Sequence, residues 1–219
     1  MTQSSRIASV CSHCGERHNV EVYNSINVSL DASLKEKVLD GSLFMWECPH
    51  CGTTNLIQGR PLYHDPAERL MIWVTGEDET LEEQTRGLFS KLEEMNSYTL
   101  RFVRDTGTLI EKLKIFDAGL DDVTVEMCKY ITRMEICEHM TDQEKAAAVM
   151  DAPMKFLRME GADNEITLAY PMDGQMQMVA IGFNVYEDCR GIIKRNPAIT
   201  QKATGFCRVD RGWLEAFFG

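Results

Sequence analysis

Four cysteines form two short motifs that share their spacing and the residue that follows. The motifs are Cys11-Ser-His-Cys14-Gly15 and Cys48-Pro-His-Cys51-Gly52, and 33 residues lie between Cys14 and Cys48. A metal-binding knuckle needs two thiolates on one tight turn, and glycine after the second cysteine permits the left-handed backbone of such a turn. Two knuckles can supply four sulfurs to one tetrahedral ion, and zinc accepts that geometry at about 2.3 Å per bond. We therefore predict that Cys11, Cys14, Cys48 and Cys51 hold one structural Zn²⁺.

The same four sulfurs could serve other chemistry. A redox dithiol normally sits at a helix N-terminus, where the helix dipole lowers the thiol pKa. Here glycine and then polar or strand-like sequence follow each pair, which disfavours redox catalysis. Iron remains an alternative metal because four thiolates suit it as well, and the aromatic residues Tyr23, Phe44 and Trp46 could shield a rubredoxin-like site. A metal held by four cysteines has no open position for water, so the sequence assigns no catalytic residue.

Three histidines and one arginine lie in or beside the knuckles. His13 and His50 occupy the middle of each turn, and we expect both side chains to point outward. Arg17 and His18 follow the first knuckle, where they could donate hydrogen bonds to the negatively charged sulfurs.

Short strands and helices must position the knuckles in the N-terminal part. Alternation predicts a strand or bent pair, and a capping box followed by glycine predicts a short helix before the second knuckle. The strand-like segments are residues 19–28, 43–46, 55–57, 62–63, 70–74 and 100–103. The short helix is capped by Asp31 or Ser33 and carries Leu34, Val38 and Leu39, and further helices are predicted at residues 81–95 (capped by Thr80) and 108–118.

The C-terminal part combines helices with alternating strands. Helices are expected at residues 121–140, 141–150 (capped by Thr141), 185–195 and 213–218, and strands at 154–159, 165–170, 177–184 and 206–209. The predicted fold class is α+β: a zinc-ribbon-like N-terminal core with inserted helices, followed by a smaller α+β unit with an antiparallel sheet. We predict a zinc-binding domain over residues 1–125 and a C-terminal α+β domain over residues 126–219.

Composition narrows the classes of protein to which the chain could belong. The chain has 219 residues with a formal net charge of −11, so binding to nucleic acid is disfavoured. No apolar run is long enough for a membrane span. The first ten residues lack a basic start followed by an apolar core, so no secretory signal is expected and the expected location is the cytoplasm.

Other sulfur-containing and basic residues have simpler expected roles. The cysteines outside the knuckles and most methionines are expected to fill the core. Methionine also suits an adaptable partner surface or, at Met172, Met176 and Met178, a copper(I) site.

The basic residues near the C-terminus are expected to form a solvated face, with RNA or phosphate binding as the alternative. They are Arg190, Lys194, Arg195, Lys202, Arg208 and Arg211.

The first ~125 residues resemble the CpXC family of bacterial and archaeal proteins, which is named for two C-P-x-C motifs. The stretches that carry the resemblance are both knuckles, residues 34–44, residues 61–65 and residues 113–122. Ser12 stands where the family has proline. The resemblance implies a zinc-ribbon-like core and supplies no activity.

These observations favour a cytoplasmic zinc-stabilised interaction or regulatory module whose partner is a protein, with a homo-oligomer as one form. The alternative from a different class is a rubredoxin-like iron electron carrier that uses the same four cysteines. A third hypothesis, an enzyme with a site between the two parts, has no catalytic motif to support it.

Overall fold

The computed structural model describes residues 2–89 and 93–218. Helices and sheets are mixed along the chain, which confirms the predicted α+β class. The chain forms two compact units: unit 1 comprises Met1–Ile110 and Thr204–Arg208, and unit 2 comprises Glu111–Ala203 and Val209–Gly219. The domain boundary at 125/126 stays a prediction.

Unit 1 is built around a five-stranded mixed sheet and a separate two-stranded hairpin. The sheet order is β1-β2-β5-β6-β7, and β3 pairs with β4 in the hairpin. The strands are β1 (Gln3–Val10), β2 (Arg17–Asn27), β3 (Met45–Glu47), β4 (Thr54–Leu56), β5 (Leu62–Asp65), β6 (Leu70–Val74) and β7 (Thr99–Val103), and the helices are α1 (Ser33–Leu39), α2 (Glu79–Phe89) and the start of α3 (Thr106–Asp117).

Buried apolar residues, among them the members of two clusters, stabilise unit 1. Met71, Leu100 and Phe102 pack with Phe206, whose ring stacks on that of Phe102 with the ring centroids 4.7 Å apart. The second cluster lies under the knuckles and contains Val20, Val22 and Ile57, with Trp46 against it. The alternating valines of β2 thus pack against the segment that follows the second knuckle.

Unit 2 contains a three-stranded antiparallel sheet and helices, as the sequence predicts. The sheet order is β10-β9-β8. Asp173 and Gly174, both with positive φ, form the two-residue turn between β9 and β10 that tight hairpins favour. The elements are α4 (Asp122–Glu138), α5 (Gln143–Asp151), β8 (Lys155–Glu160), β9 (Glu165–Met172), β10 (Gln175–Ile181), α6 (Phe183–Arg195), α7 (Pro197–Lys202) and α8 (Arg211–Glu215).

Several element limits differ from the predicted ones. Helix α2 begins at Glu79, so Thr80 lies inside it, and it ends at Phe89; of the predicted remainder, residues 90–92 lie outside the described residues and Glu93–Ser97 is a 3-10 helix. Asp142, and not Thr141, caps α5, because its carboxylate accepts hydrogen bonds from the next turn. The predicted strand 177–184 ends at Ile181, and the predicted strand 206–209 is a single bridge between Cys207 and Arg101. Strand β1 and helix α7 were not predicted.

The methionines of β9 and β10 do not form a copper site. Met176 and Met178 are 62% and 63% exposed, so the expectation that they fill the core was wrong. Met172 pairs with Gln175, the residue before Met176. Successive residues of a strand point to opposite faces, so Met172 faces away from the other two and the three sulfurs cannot share one ion.

A stripe of charged residues lies buried along one face of α4 in unit 2. Asp122, Glu126, Lys129 and Arg133 recur at helical spacing, and each is at most 6% exposed. Asp122 pairs with Lys112 at 2.7 Å, while Lys129 pairs with Glu126 at 2.6 Å and Glu111 at 3.0 Å. We call these residues, with Glu111, Lys112 and the half-exposed Lys155, the charged stripe.

Candidate metal centre

Each cysteine knuckle is the turn of an antiparallel hairpin, and the two hairpins match in register. Val10 pairs with Arg17 around the first knuckle, and Glu47 pairs with Thr54 around the second. In both hairpins, the paired residues are therefore the one just before the first cysteine and the one six positions after that cysteine. The predicted knuckle elements are thus present, and the unpredicted β1 supplies the first arm of the first hairpin.

The backbone hydrogen bonds inside the two knuckles also correspond. The N–H of Cys11 donates to Glu16 O at 2.9 Å, and that of Cys48 donates to Thr53 O at 2.9 Å. The glycine N–H closes each turn onto the carbonyl of the first cysteine, at 3.0 Å for Gly15 and 2.8 Å for Gly52. Both glycines have positive φ, +76° and +72°. The glycine after each cysteine pair therefore has the conformational role that the sequence predicts.

The structure brings the four knuckle sulfurs together. All four Sγ atoms lie within 4.8 Å of one another. Cys11 Sγ lies 3.6 Å from Cys51 Sγ, and Cys14 Sγ lies 3.7 Å from Cys48 Sγ. These distances are far longer than a disulfide bond of about 2.05 Å. They are close to the spacing of about 3.8 Å between the corners of a tetrahedron whose centre lies about 2.3 Å from each sulfur.

Polar side chains surround the sulfurs. His18 Nε2 lies 3.6 Å from Cys48 Sγ, as the sequence predicts, and the imidazole also contacts the ring of Trp46. Asn55 Nδ2 donates to Cys11 Sγ at 3.6 Å, and Thr53 Oγ1 lies 3.3 Å from Cys51 Sγ. A donor such as the Asn55 amide stabilises a thiolate and helps to orient it toward a metal.

The residue that departs from the family motif has a specific contact. The backbone N–H and the hydroxyl of Ser12 both donate to Asn55 Oδ1, at 2.8 and 2.9 Å. Proline has no N–H and could make neither bond. Ser12 and the buried Asn55 therefore tie the first knuckle to β4, an arrangement that a C-P-x-C motif would lose.

The sulfurs differ in how readily they ionise. The backbone N–H of Cys14, helped by the amide of Asn55, lowers the pKa of Cys11 to about 6. The backbone N–H of Glu16 lowers the pKa of Cys14, but burial and the three neighbouring thiols outweigh it and raise that pKa to about 12. The hydroxyl and N–H of Thr53 lower the pKa of Cys51. The cluster therefore carries negative charge at neutral pH, which a cation would neutralise.

The remaining residues of the predicted site lie apart from the sulfurs or at the surface. The side chains of His13 and His50 are exposed, as expected. Arg17 is also exposed. Asn55 and Thr53 were missed, because the sequence shows them only as strand residues after a knuckle. Among the other cysteines, Cys128, Cys189 and Cys207 are buried and Cys137 is partly buried.

By its site, this chain is a protein that carries four clustered cysteines on two matching hairpin turns. The family model described as "CpXC protein" matches residues 10–129, more than half of the chain. The chain therefore belongs to the CpXC family, which confirms the resemblance drawn from its motifs. Comparisons with curated proteins and with solved structures gave no match.

Every helix within residues 2–89 and 93–218 is too short or too polar to cross a bilayer.

Proposed function

We propose that Cys11, Cys14, Cys48 and Cys51 hold one structural zinc ion, in a zinc-ribbon-like core that makes this chain a cytoplasmic interaction or regulatory module. The observation that carries the proposal is the tetrahedral spacing of the four sulfurs on two matching hairpin turns. A bound zinc would cross-link the two hairpins. With four sulfur ligands it would offer no coordination position to a substrate, which favours a structural role.

The surroundings of the cluster support the structural role. Val20, Val22 and Ile57 form a small apolar cluster beneath the knuckles, with Trp46 packed against it. So small a cluster stabilises the hairpins only weakly by burial. A structural zinc site contributes on the order of 10–16 kcal/mol to small modules, enough to determine whether such hairpins fold.

Surface features favour a protein partner over nucleic acid. Met45 and Leu56 are directly opposite each other on β3 and β4, and they are 48% and 62% exposed. A net charge of −11 repels a phosphate backbone.

The test is the metal content of protein purified without added metal. We expect one zinc per chain in colourless protein, and Cys48→Ser is expected to lose that zinc. Cys137→Ser, which changes a cysteine outside the cluster, is the matched control and should keep it. Iron with visible absorption would replace this proposal with the rubredoxin-like electron carrier, and four readily titrated thiols without metal would overturn both.

A further inference from the structure

The charged stripe of unit 2 does not balance its own charges. It contains three carboxylates, those of Glu111, Asp122 and Glu126. It contains four cations, those of Lys112, Lys129, Lys155 and Arg133. The three lysines are each within 3.0 Å of a stripe carboxylate oxygen. The surplus positive charge is therefore that of Arg133.

Arg133 is buried with hydrogen-bond donors to spare. Arg133 is 3% exposed, and its Nη2 donates a hydrogen bond to Ala152 O at 3.1 Å. Within the described part of the chain, Nε and Nη1 are shielded from solvent and have no hydrogen-bond partner. These two nitrogens carry three of the five N–H donors of a guanidinium. Buried donors of a charged group that lack an acceptor are costly, so the expected partner is an anion that accepts from them.

The guanidinium of a second arginine, Arg211, also binds a carbonyl at the C-terminal end of α5. Arg211 Nη1 donates to Met150 O, two residues before the carbonyl that Arg133 binds. Arg211 Nε donates to Glu215 at 2.6 Å, and the Arg211 side chain is 31% exposed. Burial and, after it, repulsion by the Arg211 guanidinium lower the pKa of Arg133, while the carboxylates of Glu126 and Glu215 act in the opposite direction. Arg211 is therefore close enough to Arg133 to repel its charge, is partly exposed, and has a second carboxylate nearby, with Asp151 Oδ1 3.7 Å from its Nη1.

We propose that Arg133 and Arg211 form a binding site for a small oxyanion, either phosphate or a carboxylate. The planar guanidinium presents paired N–H donors that match the oxygens of both groups. The anion enters beside the partly exposed Arg211, accepts from Nε and Nη1 of Arg133, and neutralises the surplus charge of the stripe. Of the basic residues expected on a solvated face, Arg211 is only partly exposed and donates to Met150 O. Because the site lies in unit 2, it does not depend on the metal proposal.

The test is calorimetric titration of the full-length, metal-loaded protein with sodium phosphate and, separately, with sodium acetate, at constant ionic strength in chloride. We expect saturable binding of at least one of the two, and the better binder identifies the source of the oxyanion. Arg133→Met should weaken that binding about tenfold or more, because charge-assisted bidentate bonds are lost. Arg190→Met, which removes an exposed helical arginine of the same unit, is the matched control and should bind like the wild type.

The denaturation midpoint gives a second measurement that separates Arg133→Met from the control Arg190→Met. Without added anion, Arg133→Met should have an equal or higher denaturation midpoint than the wild type, because it removes an unneutralised buried charge. The ligand should raise the midpoint of the wild type and of Arg190→Met but not that of Arg133→Met. If Arg133→Met does not fold, Arg133→Lys, which keeps the charge but loses the planar fork, takes its place. Wild-type protein that binds neither anion at millimolar concentration, or an Arg133 variant with wild-type affinity, would overturn the proposal.

Discussion

The four-cysteine cluster of unit 1 and the charged stripe of unit 2 stabilise their surroundings in contrasting ways. The knuckles bring four cysteine sulfurs within 4.8 Å of one another, where a bound cation would stabilise their ionised forms. The stripe alternates opposite charges inside the unit, so most of its members neutralise each other. With the proposed zinc bound, the first arrangement makes folding sensitive to metal supply, whereas the second makes it sensitive to the loss of a charge that has an ion-pair partner.

Removal of the metal should have the largest effect. We expect a strong chelator to unfold the β1–β2 and β3–β4 hairpins, because structural zinc contributes on the order of 10–16 kcal/mol in comparable modules. Amide hydrogen exchange measures the effect, with the β8–β10 sheet of unit 2 as the internal control. If the amides of the hairpins stay protected from exchange after complete metal loss, the cysteine cluster does not need a cation and its contrast with the charged stripe disappears.

Loss of one stripe cation should have the next largest effect. Lys129→Met leaves the buried carboxylates of Glu111 and Glu126 without their shared partner. Removal of one member of a buried ion pair costs about 3–5 kcal/mol, and we expect a loss of that size in the free energy of unfolding of unit 2. Urea denaturation checks the loss, and Lys194→Met, an exposed helical lysine, should change stability little. An unchanged urea midpoint for Lys129→Met would show that the ion pairs of Lys129 add nothing to the free energy of unfolding of unit 2.

Acid should weaken unit 2 over a defined range of pH. Burial alone raises the pKa of Glu111, but the ammonium groups of Lys129 and Lys155 outweigh it and lower the pKa to about 2. Its ordinary value is 4.5, so the ionised carboxylate contributes full stability above that pH. The contribution, about 3 kcal/mol, is lost as the pH falls from about 4.5 to about 2.

The measurement must separate this effect from protonation of the cysteine sulfurs in unit 1, which would release the proposed metal. NMR signals of β8–β10 report on unit 2 alone, and their urea midpoint should fall with pH. Glu111→Gln should flatten that dependence. A variant as pH-sensitive as the wild type would assign the effect to other groups.

The smallest effect is expected for a residue beside the cysteine sulfurs. His18→Ala removes a ring nitrogen 3.6 Å from Cys48 Sγ. Loss of such a partner weakens metal affinity roughly 10–100-fold. Competition with a chromogenic chelator measures the change, and His50→Ala, at the exposed tip of the second knuckle, is the control. Equal loss in both variants would indicate a general effect of histidine on the hairpins.

The local part of this structure could be predicted from the sequence, and the long-range part could not. Cysteine spacing and the following glycines are enough to predict the knuckles, since both are local signals. Strand β1 was missed because its serine-rich sequence alternates weakly and most of its residues are exposed. The matching knuckles offered a clue, since the strand before Cys48 implies one before Cys11.

The charged stripe could not be predicted from the sequence, because helical spacing of charges normally indicates a solvated face. Only packing in unit 2 shows that Glu126, Lys129 and Arg133 point inward.

The division of the four cysteines into two hairpin turns has a consequence for assembly. Each turn holds two sulfurs only three positions apart, so half of the coordination sphere forms locally. A single long-range closure, across the 33 residues between Cys14 and Cys48, completes it. The entropy of closing a loop grows only with the logarithm of its length, about 0.6 kcal/mol for each doubling. The loops that join β2, α1 and β3 can therefore lengthen with little thermodynamic penalty, provided that both knuckles keep two residues between their cysteines.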